Sequence, residues 1–193
     1  MNLQINEERI PGTILSRKSM GDVTGLEFLN KIFFISDGIM LSQIREISGI
    51  DGTTLQNWTK RGWVENSKSK KYNIDQLAHI LIINMLRDCM RLDRIAFLVS
   101  YINGRVYDRS DDIIRDSLLY DYICRILDRL MIEQSEDAGT LRHCIAEITS
   151  DYEEKIAGAR RRLNNALEII IIAYYATIIK RRSDEMTEAL MNR

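Results

Sequence analysis

The sequence predicts an all-α protein, and three observations lead to that fold class. The chain has a single proline and only ten glycines among its 193 residues, a composition typical of packed helices. Apolar residues recur at helical spacing through most of the chain. Residues 41–77 read as a short helix, a Gly-Ile turn, a second helix, a basic loop and a third helix. That order is typical of a winged helix-turn-helix, whose second helix enters the DNA major groove.

The length suits one ordinary domain or a small domain with a helical extension. We expect an N-terminal arm and leading helix over residues 1–35, and a winged helix-turn-helix domain over residues 36–104. Residues 105–193 should form a helical region that mediates dimerisation and could hold an effector. The first 25 residues are polar and mixed, which predicts little structure of their own. Apolar residues from Leu26 to Phe33 predict the leading helix, ending before Ser36.

Capping signals place the helices that follow the basic loop. Residues 73–76 have the layout of a capping box, with Asn in the cap and Gln three residues on, so a helix should begin there and run to Leu86. Apolar spacing predicts another helix over 92–102, ended by Asn103-Gly104. Ser-Asp-Asp at 110–112 predicts the cap of a further helix that ends near Gln134.

An eleven-residue apolar repeat runs from Leu141 to Ile178. Eleven residues make three helical turns of 3.67 residues, so one apolar stripe stays on one face of a straight helix. The repeat predicts a continuous helix about 60 Å long, too long for one small domain to cover, and a second subunit is the expected partner. The most apolar part, Ile169 to Ile179, is shorter than the roughly 20 residues of a membrane span, so a buried helix is expected.

The helix-turn-helix segment carries the candidate site. Gly49 provides the turn, Asp51 caps the second helix, and Leu55 and Trp58 should point inward. Amides can make paired hydrogen bonds with adenine, and hydroxyls can approach either base. The side chains expected to face the groove are Thr53, Thr54, Gln56, Asn57 and Lys60.

The basic loop is the expected wing. Arg61, Lys68, Lys70 and Lys71 should neutralise phosphates, with Tyr72 closing the wing. The formal net charge of the chain is −1, so DNA affinity must come from this patch. Five basic residues and one acidic residue give residues 56–72 a charge of +4.

These residues resemble the MerR-type winged helix-turn-helix. The likeness lies in the Ile-x-x-Ile spacing, a Gly, Thr54-Leu55, Trp58, Gly62 and a basic wing with Tyr72, with residues 92–95 resembling the fourth helix of that fold. The resemblance implies a dimeric DNA-binding protein. The chain departs from the MerR type at Arg45, where a small Ala is usual, at Cys89, where a Gly is usual, and in its two predicted helices beyond the fourth. Gln56 and Asn57 also replace the usual Arg and Tyr, so the MerR contacts are not transferred.

A closer resemblance is to the bacterial domain of unknown function 1836. It covers roughly residues 10–122. The resemblance lies in five sequence segments: Gly21 to Gly25, Gln56-Asn57-Trp58, Lys60-Arg61-Gly62, Ile80 to Leu86 and Tyr101-Ile102-Asn103. This likeness supports the fold and implies little about mechanism.

Competing interpretations accompany each feature. Trp58 and Trp63 are more often packing residues than base-stacking ones. The three cysteines lack closely spaced ligand pairs and fall in apolar helical patterns, which favours buried, reduced thiols over a metal sensor. No nucleotide-binding or hydrolase motif is present, so no catalytic, cofactor or metal residue is expected. Without a signal peptide pattern, a cytoplasmic location is expected.

Two functions remain open from the sequence. The favoured one is a homodimeric transcriptional regulator that binds double-stranded DNA, with no membrane association. The alternative is a protein-interaction adaptor that keeps the helix-turn-helix as a scaffold and binds its partner with the C-terminal helices. A small-molecule effector is possible, but composition does not separate a ligand pocket from a core.

Overall fold

The computed structural model describes residues 8–105, 110–133 and 138–192, and it is mostly helical, which confirms the all-α prediction. The eight helices of these ranges are α1 Gly25–Phe33, α2 Leu41–Ser48, α3 Gly52–Lys60, α4 Ile74–Leu86, α5 Leu92–Asn103, α6 Asp116–Glu133, α7 Ala138–Ile148 and α8 Ala159–Met191. Two short strands, β1 Ile39–Met40 and β2 Lys71–Tyr72, pair antiparallel with Ile39 opposite Tyr72.

Helix α4 is the centre of the molecule. Ten of its thirteen residues are buried, and it packs against α1, α2, α5, α6 and α8. Its capping box is the predicted one, because Asn73 and Gln76 accept each other's backbone N–H groups at 2.9 Å. The predicted end of α5 at Asn103-Gly104 and the predicted leading helix are also confirmed.

The prediction of an unstructured arm over residues 1–25 was wrong for residues 8–25, and residues 1–7 lie outside the described ranges. Ile10 is fully buried, and the buried Tyr120 hydroxyl donates to the Pro11 carbonyl at 2.7 Å. Gly12 lies against α4, where a Cβ would sit 2.4 Å from the Leu81 carbonyl oxygen. Arg17 forms an ion pair with Asp128 at 2.6 Å. Residues 8–25 are thus held against the helices by hydrogen bonds to their backbone and by burial of the Ile10 side chain.

Helix α6 begins later than its predicted cap at residues 110–112. The Asn103 amide binds the backbone N–H and C=O of Ile114, which keeps that residue out of the helix. The carboxylate of Asp75 on α4 accepts the Ser117 N–H at 3.0 Å, so the first turn of α6 is capped from another helix. The predicted end near Gln134 lies outside the described residues.

The continuous helix predicted over 141–178 was also wrong, because the chain breaks between α7 and α8. After α7 comes a short 3-10 turn over Thr149–Asp151, and Gly158 precedes α8 with φ +81°. Tyr152 is buried in the break and donates to the Ile113 carbonyl at 3.0 Å. Arg160 donates to the carbonyls of Thr149 and Tyr152, and these hydrogen bonds join the start of α8 to the turn that follows α7. The two halves of the stripe therefore pack against the body of the same chain.

Helix α8 is about 50 Å long at 1.5 Å per residue. Among the described residues it is the helix long and apolar enough to cross a membrane by length and composition alone, and 44% of its most apolar window is buried in the protein. Burial covers one face only. The opposite face carries Ile169, Ile172 and Ile179, each about half exposed.

Candidate nucleic-acid interface

The turn between α2 and α3 is fixed by two local devices. Gly49 adopts φ +71°, and its N–H donates to the Arg45 carbonyl at 2.8 Å. Asp51 caps α3 by accepting the Thr54 N–H at 2.8 Å and the Thr54 hydroxyl at 2.6 Å. These hydrogen bonds lower the pKa of the Asp51 carboxyl. The predicted roles of Gly49 and Asp51 are therefore confirmed.

One face of α3 is anchored in the core. Leu55 and Trp58 are 1% and 2% exposed, as predicted, and the Arg87 guanidinium carbon lies 6.0 Å from the centroid of the Trp58 ring. Burial of Trp58 supports the packing interpretation over base stacking. Arg45 is exposed on α2, so this bulky residue does not lie between the two helices.

The opposite face of α3 is polar and accessible. Thr53, Gln56, Asn57 and Lys60 are exposed there. Thr54 is only half-buried, but its hydroxyl already donates to the Asp51 cap. The accessible donors and acceptors of α3 are consequently two amides, one hydroxyl and one amine on a single face.

The basic loop ends in a tight β-hairpin. Lys68 and Lys71 exchange both backbone hydrogen bonds, at 3.0 and 2.9 Å, across a two-residue turn. Ser69 and Lys70 in that turn have φ values of +52° and +63°. Positive φ at both central residues is the signature of a type I′ turn, whose twist matches that of paired strands. Lys68, Lys70 and Lys71 are all exposed.

Tyr72 differs from the other predicted site residues because it is 8% exposed and part of the core. It pairs with Ile39 in β1, directly before α2. Its position therefore ties the hairpin to the helix-turn-helix, and its ring is withdrawn from the surface that carries the lysines.

Arg61 links the two parts of the surface. It follows α3, is exposed, and places its guanidinium carbon 5.1 Å from the centroid of the Trp63 ring. The chain reverses here, with Gly62 at φ +72° and the Trp63 N–H donating to the Trp58 carbonyl at 2.9 Å. The exposed Arg61 charge thus lies between α3 and the hairpin along the chain.

Two polar residues of α4, Gln76 and His79, hold this turn through hydrogen bonds that the sequence did not predict. The Trp63 carbonyl can only accept, so His79 Nε2 donates to it at 2.8 Å. The other ring nitrogen of His79 lies 3.2 Å from the buried carboxylate of Asp116 on α6. Gln76 also donates to the Asn66 carbonyl at 3.1 Å. The available signal was Gln76 in the capping turn and His79 in the mostly apolar run of residues 77–86.

Within the described ranges, the structure brings together no group of three His, Cys, Asp or Glu side chains that could hold a metal ion. Cys124 and Cys144 are buried thiols, as predicted. Cys89 is exposed in the turn between α4 and α5, which corrects the prediction that it is buried in a helix. Burial raises the pKa of the Cys124 thiol well above its usual range, so this group stays protonated.

Comparison with known proteins finds one family model that matches part of this chain. Residues 28–123 match the family described as a domain of unknown function, DUF1836. Over 133 residues the chain is 24% identical to the uncharacterized protein YkrK of Bacillus subtilis (strain 168), covering 66% of this chain and 56% of YkrK. The chain therefore spans less than two thirds of that relative's length. No solved structure matches the chain.

Proposed function

We propose that this chain, which is similar to the DUF1836 family over residues 28–123, is a bacterial transcriptional regulator that binds double-stranded DNA as a homodimer. The observation that carries the proposal is the exposed face of α3, with Gln56 and Asn57, followed along the chain by a lysine-bearing hairpin. Both are fixed to the same hydrophobic core, α3 by Leu55 and Trp58 and the hairpin by Tyr72. In this proposal α3 enters the major groove as in MerR-type winged helix-turn-helix proteins, which this segment resembles.

The two parts of the surface have different proposed roles. Gln56 and Asn57 read base edges, because a side-chain amide can both donate to and accept from adenine. Arg61, Lys68, Lys70 and Lys71 contact phosphates, which supplies affinity that does not depend on sequence. Thr53 and Lys60 lie on the same face as the amides and contribute to either role.

The proposed dimer rests on the exposed face of α8. Residues there alternate in steps of three and four: Ile169, Ile172, Ala176, Ile179, Ser183, Met186 and Leu190. Met186 and Leu190 are 63% and 68% exposed, and Ile172 is 55% exposed. A mean spacing of 3.5 residues is that of a coiled-coil seam. A second copy of α8 is the proposed occupant of this seam, and a twofold dimer would read a near-palindromic site.

Selection from a randomised duplex pool at moderate salt tests DNA binding. We expect enrichment of a two-part motif by the full chain, and its loss in the Lys70→Ala/Lys71→Ala variant. The Lys18→Ala/Lys155→Ala variant is the matched control, because it removes two exposed lysines outside α3 and the hairpin. No enrichment by folded protein contradicts the proposal.

Sedimentation velocity tests the dimer separately. The Ile172→Glu/Ile179→Glu variant places like charges in the seam, so it should have the molar mass of a monomer. The wild type should have twice that molar mass. Phe34→Glu/Ile35→Glu is the matched control, because these residues are 87% and 94% exposed outside α8. A monomeric wild type contradicts the proposed homodimer.

The alternative function is a protein-interaction adaptor, and the same apolar seam on α8 favours it. An adaptor would offer this seam to a different protein and would use the helix-turn-helix as a scaffold. Such a protein has no phosphates to neutralise, so its DNA binding should be weak and indifferent to removal of the hairpin lysines. The pool selection therefore separates the two functions.

A further inference from the structure

A cavity of about 450 Å³ is lined by residues of α4, of α5 and its C-terminal end, and of the turn at Gly62-Trp63 that follows α3. Its volume is within the range of small-molecule sites. Its lining includes Trp63, His79, Ile83, Phe97, Val99 and Arg105.

The lining is mostly apolar, and an exposed aromatic ring stands at its mouth. Phe97 is 68% exposed, although its neighbours Ile95 and Leu98 on α5 are buried. The Phe97 ring stacks on Tyr101 with centroids 6.3 Å apart and planes 28° apart. Trp63 lines the cavity as well and is half-buried. Two aromatic side chains that line one apolar space favour a flat aromatic ligand, because offset stacking and edge contacts reward planarity.

The polar side chains of the cavity determine which polar groups the ligand can carry. Both nitrogens of His79 already have partners, and the Ser100 hydroxyl donates to the Phe97 carbonyl at 2.8 Å. The Asp93 carboxylate is held by Arg91 at 3.1 Å. Arg105 contributes a cation at the exposed rim. An acidic group on the ligand is therefore the polar feature that this rim can recognise.

We propose that this cavity binds a planar aromatic molecule of one or two rings with one acidic group, and that its binding changes DNA affinity. The second part rests on the proposed function. The cavity wall at Gly62-Trp63 follows α3 directly, and the Trp63 ring lies under the Arg61 guanidinium. The Trp63 carbonyl is held by His79, whose ring contacts Asp116 of α6. A ligand against Trp63 thus acts on the end of the proposed recognition helix.

Binding of naphthalene-2-sulfonate, a planar two-ring aromatic sulfonate, tests the site in the full chain without DNA. We expect saturable binding with one probe bound per chain, measured by isothermal titration calorimetry. Ala96→Phe should weaken binding at least tenfold, because Ala96 lines the cavity and a phenyl ring there fills it. Arg105→Gln should weaken it severalfold by removing the rim charge.

Phe34→Ala is the control for unspecific adsorption, because it removes an 87% exposed aromatic ring outside the cavity and should leave probe binding unchanged. Thermal unfolding followed by circular dichroism verifies that each variant is folded. If Ala96→Phe destabilises the fold, Phe97→Ala replaces it and should weaken binding similarly. Equal probe binding by wild type and the folded cavity variants overturns the site.

The affinity for the selected duplex, measured with and without saturating probe, tests the regulatory part. Wild type should change its affinity severalfold, and Ala96→Phe should not change. Probe bound in the cavity with unchanged DNA affinity overturns the regulation and leaves the site established. A wild type that binds probe but no duplex overturns the proposed function instead, so the two failures are distinguishable.

Discussion

The helix-turn-helix segment and the α7–α8 region differ in how their conformations are determined. Around α3, the conformation depends on short-range devices: Gly49 in the turn, Asp51 in the cap and two positive-φ residues in the hairpin. Around the α7–α8 break, it depends on distant partners, such as the Tyr152 hydroxyl bond to Ile113. Local signals are readable in a sequence, whereas a break imposed by tertiary contacts is not.

The two regions also expose different chemistry. The α3 face and the hairpin carry amides and lysines, and α8 carries an apolar seam with 3.5-residue spacing. The first surface suits a duplex with charged phosphates, and the second suits another helix. A single chain that has both is suited to joining two DNA-reading units, which is the basis of the proposed homodimer.

The largest expected effect concerns base reading by α3. Gln56→Ala/Asn57→Ala should reduce discrimination between the selected duplex and a scrambled one by about 1–3 kcal/mol for each bidentate amide–adenine interaction that is removed. Affinity for the scrambled duplex should change little, because the lysines remain. Competition binding with the two duplexes measures the ratio. If the amide variant and Lys70→Ala/Lys71→Ala weaken both duplexes alike, the proposed division of roles is wrong.

The sign of the stability change in Gly158→Ala should distinguish the broken helix from a continuous one. At φ +81° an alanine costs roughly 1–2 kcal/mol, so the variant should be less stable than wild type. In a continuous helix the same substitution would stabilise by about 1 kcal/mol. Urea unfolding measures the difference. Gly158→Asn is the control and should cost less, since Asn tolerates this conformation.

Comparison of Lys70→Gly with Lys70→Ala should separate the effect of the lysine charge on DNA affinity from the effect of backbone strain on stability. Glycine relieves the positive φ of +63°, so unfolding free energy should rise by about 1 kcal/mol relative to Lys70→Ala. DNA affinity should fall equally in both variants because both remove the charge. Urea unfolding and duplex titration give the two quantities. Equal stability of the two variants would contradict the type I′ turn.

The smallest expected effect is a pH dependence of the α3 cap. The pKa of Asp51 is lowered in the fold, so its carboxylate contributes stability above its unfolded pKa of about 3.9 and loses it as pH falls through the lowered value. Asp51→Asn keeps a cap acceptor that does not titrate. Thermal unfolding of both proteins from pH 6 to pH 2.5 should therefore bring their midpoints together or reverse their order at low pH. A constant difference argues against the cap.

Much of the region around the proposed interface was predictable from the sequence. Leu55 and Trp58 were identified as anchors by their spacing, and Asn73 and Gln76 as a capping box by their chemistry. Tyr72 was assigned to the wing surface because its sequence neighbours are basic, but pairing of β2 with β1 turns its ring into the core. Side-chain direction in a two-residue strand depends on the pairing partner, which the local sequence does not reveal.

The other wrong or missing predictions all concern contacts between residues that are distant in sequence. Gly12 and the Pro11 carbonyl gain their roles from α4 and α6, more than 60 residues away in sequence. His79 appears as one polar residue in an apolar run until Trp63 and Asp116 are placed on either side of its ring. Periodicity between Leu141 and Ile178 identified residues that are mostly buried, but not that the chain folds back between them.

The salt dependence of duplex affinity tests the central claim most directly. Each phosphate contact contributes roughly −0.9 to the slope of log K against log salt concentration. Wild type should show a steep negative slope that becomes shallower by about 2 in Lys70→Ala/Lys71→Ala, and the Lys18→Ala/Lys155→Ala control should keep the wild-type slope. A flat wild-type slope, or equal slopes for both double variants, would contradict DNA binding through the hairpin.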